Sequence, residues 1–162
     1  MNPADPEPSR ARDQGGRPRQ DRPRDRLGRP LPYGAPGVEP VPDELDLTAH
    51  EALDYAQRLL DEGRPFGAHE VLEAQWKATD DPAERELWRA LAQLAVGVTH
   101  LERGNARGAR ELCRRAVDGL RPYSATPPHG IDVGGLVEQG DRIVRALDAG
   151  QAAPVPHLLL RG

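Results

Sequence analysis

Apolar side chains recur at intervals of three and four residues from about residue 47 onward, the period of amphipathic helices. Leu53, Ala56, Leu59 and Leu60 predict a first helix over about 47–62, with Asp46 or Thr48 as cap and Glu51 at the capping-box position. Gly63 ends it, and Pro65 presets the first turn of a second helix over 65–78, whose stripe is Ala68, Val71, Leu72 and Gln75, widened by Trp76. A third helix, about 82–103, carries Trp88, Leu91, Ala92, Leu94, Ala95, Val96, Val98 and Leu101 around most of its circumference, which predicts a central position. Gln93 and His100 interrupt that apolar surface, seven residues apart and so on one face. A fourth helix runs from Gly104-Asn105 to about 120, with Ala109, Leu112, Cys113, Ala116 and Leu120 inward, and a fifth covers about 133–149. No alternation of period two suggests a strand, so the expected fold is all-α.

The same frame occurs twice. Setting Gly63 on Gly104 lays GRPFGAHEVLEA over GNARGARELCRR and pairs Gly67 with Gly108, Ala68 with Ala109 and Glu70 with Glu111. Small residues at these positions let helix axes approach closely. The second copy also resembles a tetratricopeptide repeat in the spacing of Gly97, His100, Ala109, Cys113, Ala116 and Pro122. The expected architecture is a five-helix bundle built on two tetratricopeptide-like helical hairpins, occupying residues 45–150.

Composition changes the picture at the ends. Ten of the seventeen prolines lie in residues 1–44, and mean hydropathy of −0.70 is low for a chain folded throughout, so 1–44 is expected to be a disordered arm. A strap of extended chain near residues 31–41 is the alternative. Residues 151–162 form a short tail whose Val155–Leu160 stretch has apolar side chains enough to pack back. The arm is charge-balanced, while the remaining chain holds 14 basic and 18 acidic side chains. A basic domain face is therefore excluded, and nucleic acid is limited to weak contacts by the Arg-rich stretch 9–29. One cysteine, Cys113, permits no intrachain disulfide and suits a reducing compartment. With no membrane span or signal segment, the expectation is a soluble cytoplasmic protein.

Chemistry concentrates in GRPFGAHEVLEAQW, residues 63–76. His69 and Glu73 are i and i+4 on the shoulder beside Trp76, while Glu70 falls on the far side of the wheel. If the second and third helices are neighbours, Gln93 and His100 face them. His69, Glu73, Trp76, Gln93 and His100 then line a binding pocket, an aromatic wall with converging polar groups. Alternatively, His69, Glu73 and His100 are ligands for a divalent metal, with Glu70 as general base of a hydrolase. The HExxE order resembles the zincin HExxH, but Glu73 stands where the second His belongs. A purely architectural hydrogen-bond network is the third reading. No phosphate loop or nucleophile elbow is present, the serines being Ser9 and Ser124, and His50, His129 and His157 read as isolated.

Residues 63–76, the segment from Trp88 through GVTHLERGNARGA to Ala109, and HGIDVGGL at 129–136 together resemble the family catalogued as domain of unknown function 309. The resemblance spans 47 to about 148. It implies a small all-helical bacterial protein with no established activity. Relatives usually carry Glu where this chain has Gly67, whereas His69, Glu70, Glu73, Trp76, Gln93 and His100 match the family pattern.

Overall fold

The computed structural model describes residues 22–162, so the disorder expected of residues 1–21 lies outside the described residues. Five α-helices follow one another: α1 Ala49–Asp61, α2 Pro65–Ala78, α3 Pro82–Glu102, α4 Ala106–Leu120 and α5 Val133–Asp148. Among the described residues there is no strand beyond two isolated bridges, Arg24 to Pro30 and Ile131 to Arg161. Helix starts follow the capping logic. Thr48 and Glu51 form the reciprocal capping box of α1, and Asp81, Asn105 and Asp132 cap α3, α4 and α5.

The repeated frame appears in the backbone. Gly63 and Gly104 both sit at positive φ, 71° and 78°. Gly63 N–H donates to Leu60 O and Arg64 N–H to Leu59 O. One repeat later, Gly104 donates to Leu101 O and Asn105 to His100 O. These are left-handed glycine stops that satisfy the last carbonyls of a helix. Between the hairpins, α3 packs against both α2 and α4, with Trp88, Leu87, Leu91, Leu94 and Ala95 fully buried. Its crossing with α4 is close: a Cβ on Gly97 would stand 2.6 Å from Cys113 Sγ. Burial pushes the Cys113 thiol up to about 12, which fits a packing residue.

Both ends differ from a plain bundle. Residues 22–44 are not an unfolded arm: from residue 22 onward the chain is folded against the helices as an N-terminal loop. Leu27 and Val41 are buried, and Gly28, at φ +75°, lies flat on the Phe66 ring with no room for a side chain. Composition misses this because the loop is held by main-chain hydrogen bonds and one apolar anchor, not by a periodic stripe. At the other end Leu158 and Leu160 are buried, while Val155 and Leu159 stay exposed. The Gln57 amide donates to Leu158 O at 3.0 Å and accepts from Leu160 N–H at 2.8 Å, reading the tail as a sheet neighbour would. Among the described residues no helix is long and apolar enough to cross a membrane.

Candidate functional site

The outer side of α2 carries Phe66, His69, Glu70, Glu73 and Trp76, all half-buried. His69 Nε2 lies 2.8 Å from Glu73 Oε2, and Lys77 Nζ lies 2.7 Å from the other carboxylate oxygen. A carboxylate only accepts, so Nε2 carries the imidazole proton and Nδ1 holds a lone pair. That Nδ1 is buried beside the Phe66 carbonyl, without a hydrogen-bond partner of good geometry. The neighbouring Phe66 carbonyl and the Glu73 charge both favour the imidazolium, yet burial outweighs them and holds His69 below its ordinary value. The hydrogen bond from Lys77, together with the His69 ring, holds Glu73 down.

Trp76 closes the other end of this row. Its ring carries the Arg85 and Arg89 guanidinium groups at 5.8 and 5.7 Å from the centroid, both from the first turns of α3. Its indole N–H is buried and has no acceptor. At the opposite end Phe66 packs on His69 with ring centroids 5.2 Å apart, and Arg24 of the loop and Arg103 stack on Phe66 at 5.9 and 5.7 Å.

Glu70 belongs to this row, contrary to the wheel-based expectation of a far side. The loop covers that side of α2, and the resulting burial raises the Glu70 carboxyl despite the nearby Arg24 and Arg64. Gln93 is half-buried on α3. His100 is tied to the start of α4, its Nδ1 3.2 Å from Asn105 Nδ2, and burial with Arg103 lowers it. The proposed metal set is therefore not assembled: His69 and Glu73 are committed to each other and His100 to Asn105. Among the described residues no three His, Cys, Asp or Glu side chains stand close enough to hold a metal ion.

Surface clefts form elsewhere. One of about 270 Å³ is lined by Asp54, Gln57, Arg58, Asp61, Leu159 and Arg161. The three histidines read as isolated are not. His157 Nε2 meets Asp61 at 2.7 Å, His129 Nε2 meets Glu84, and the His50 and His129 rings stand edge to face at 6.0 Å. These residues are far apart in sequence, and no local spacing announces them. His129 itself sits in left-handed backbone, at φ 54°, between Pro128 and Gly130.

An all-helical pair of hairpins with a half-buried His, Glu and Trp row thus defines a small α-helical domain. Residues 53–112, from α1 into α4, match the family model described as Domain of unknown function (DUF309), so the family resemblance holds across that span. Over 74 residues the chain is 34% identical to the Uncharacterized protein YpuF of Bacillus subtilis (strain 168), covering 45% of this chain and 42% of that protein. The chain thus spans under half the length of that relative. No solved structure matches it.

Proposed function

We propose that the outer face of α2 is a recognition face of a binding or scaffolding module, with His69, Glu73 and Trp76 at its centre and Gln93 and His100 toward its edge. The observation that carries this is a pair of orphaned nitrogens on one side of one helix. His69 Nδ1 offers a lone pair and Trp76 Nε1 a proton, and neither has a partner. Seven residues place them two turns apart, about 10 Å along the axis. A buried polar atom left unpaired costs about 1–3 kcal/mol, so a ligand that draws the two rings outward and presents an acceptor and a donor about 10 Å apart, as separate peptide units of an extended segment do, would be matched to both.

The repeat supports the same choice. Arg110 and Arg114, the counterparts of His69 and Glu73, are spent on Asp148 of α5 at 3.3 and 3.4 Å. In the first copy the equivalent side chains pair with each other on α2 itself.

Native mass spectrometry of protein purified from its own cells tests the reading. A co-purifying ligand or protein is expected on the wild type and lost from His69→Ala and Trp76→Phe. A melting temperature sharply lowered by both changes, with no bound species on the wild type, would instead make the row architectural. Metal analysis of the same samples is expected to return less than one equivalent, and a stoichiometric metal lost with His69→Ala would overturn the proposal.

A further inference from the structure

The C-terminal tail forms one wall of the cleft of about 270 Å³ along α1. Leu158 and Leu160 turn inward and are buried, so Leu159 between them faces out and is exposed. On either side of Leu159 the tail sends a polar side chain back to α1. His157 Nε2 lies 2.7 Å from Asp61 Oδ1, and Arg161 pairs with Asp54 while donating to His50 Nδ1 at 3.0 Å. Asp54 and Asp61 are seven residues and so about 10 Å apart along the helix, and these two pairs mark the ends of the cleft. Gln57 between them is spent on the main chain of Leu158 and Leu160 and on Asp61.

Two charges in the cleft are not spent. Arg58 makes no ion pair among the described residues, and its guanidinium lies over the Tyr55 ring, 4.8 Å from the centroid. Asp61 takes its hydrogen bonds from Gln57, at 2.9 Å, and from His157 on the same oxygen, Oδ1, and Oδ2 receives none among the described residues. Those bonds, Gln57 first and His157 second, hold the Asp61 carboxyl below its ordinary range, so it is a carboxylate at neutral pH. Residues three apart are neighbours on a helix surface, yet Arg58 is turned back over Tyr55 and leaves Asp61 unmet. An open cation, an open carboxylate oxygen and an exposed leucine thus line one cleft.

We propose that this cleft binds a small zwitterion, a free α-amino acid with an apolar side chain, its carboxylate on Arg58, its ammonium on Asp61 Oδ2 and its side chain along Leu159. A guanidinium presents parallel N–H groups that match the two oxygens of a carboxylate, and an ammonium brings three donors to an oxygen that has none. An exposed ion pair in water holds little by itself. A ligand that meets one of these charges therefore gains little, whereas one that meets both and covers Leu159 gains three contacts at once. The cleft shares no residue with the His69 row on α2, so the two sites are tested separately.

The test is titration of the full-length protein with leucine, followed by NMR and calorimetry. Saturable binding of one molecule per chain is expected, in the millimolar range or tighter, with shift changes confined to residues 54–61 and 157–161. Isocaproate, which lacks the ammonium, and isoamylamine, which lacks the carboxylate, should each bind at least about fivefold more weakly. Arg58→Gln removes the cation. Asp61→Asn keeps an acceptor oxygen for Gln57 and His157 and replaces only Oδ2 and the charge. Both substitutions lie on the surface, and each should weaken leucine binding by at least about fivefold. Leu159→Ser should remove the preference for leucine over glycine. No saturable binding up to the solubility limit of leucine, shift changes centred on another face, isocaproate binding as tightly as leucine, or either charge variant binding like the wild type would each overturn the proposal.

Discussion

His69 shows how one side chain serves two purposes with conflicting electrostatics. The Glu73 carboxylate would raise its proton affinity, and burial beside Phe66 lowers it further than the carboxylate can restore. His100 is lowered as well, by burial and by Arg103. A histidine held below its ordinary 6.5 is protonated earlier in the unfolded chain than in the folded one. Stability is therefore full above that value and declines as pH falls through it. The expected outcome is a melting temperature that drops between about pH 7 and about pH 5, with a shallower drop in His69→Leu. Parallel curves for the two proteins would remove His69 from this account. The His69–Glu73 pairing was legible from i,i+4 spacing. The place of Glu70 was not, because a helical wheel knows the helix and not the loop that covers it.

At the scale of elements, the contact between α3 and α4 depends on a missing side chain. Gly97 lets α3 approach until Cys113 Sγ and the Cys113 amide nitrogen occupy the space a Cβ would need, at 2.6 and 3.2 Å. A glycine inside a helix costs helix propensity, so its presence here is offset by closer packing. Gly97→Ala is expected to destabilise by about 1–3 kcal/mol in urea unfolding. Adding Cys113→Ala should return part of that loss, because it removes the sulfur and leaves the nearby main chain. If Gly97→Ala were neutral or stabilising, the helices would have to separate at no cost and the close crossing would lose its importance. All five helices, their glycine stops and the repeat were readable in the sequence, since each rests on local periodicity and capping. The loop of residues 22–38 was not, for its hydrogen bonds join positions whose pairing no period reveals.

Across the whole molecule, the bundle is fastened at both ends by extended chain. The tail returns to α1 through Gln57 and to residues 131–132, where Asp132 N–H donates to Leu160 O at 2.8 Å. Leu160 and Leu158 are each 2% exposed, as buried as the helical core. Leu160→Ala is expected to cost about 2–5 kcal/mol, measured as a shift in the urea midpoint at unchanged slope. A change within about 0.5 kcal/mol would mean that the tail rests on the surface without contributing to the core.

The sequence by itself determined the five helices, the twofold frame marked by Gly63 and Gly104, and the row of His69, Glu73 and Trp76 on one side of α2. All of these follow from interactions within a few residues along the chain. Tertiary structure alone decided which faces the terminal segments cover. It drew Glu70 into the candidate site, tied His100 to Asn105 instead of to His69, and brought His50 and His129 side by side. Such pairings depend on where separate segments come to lie once the core has closed, which no local period encodes.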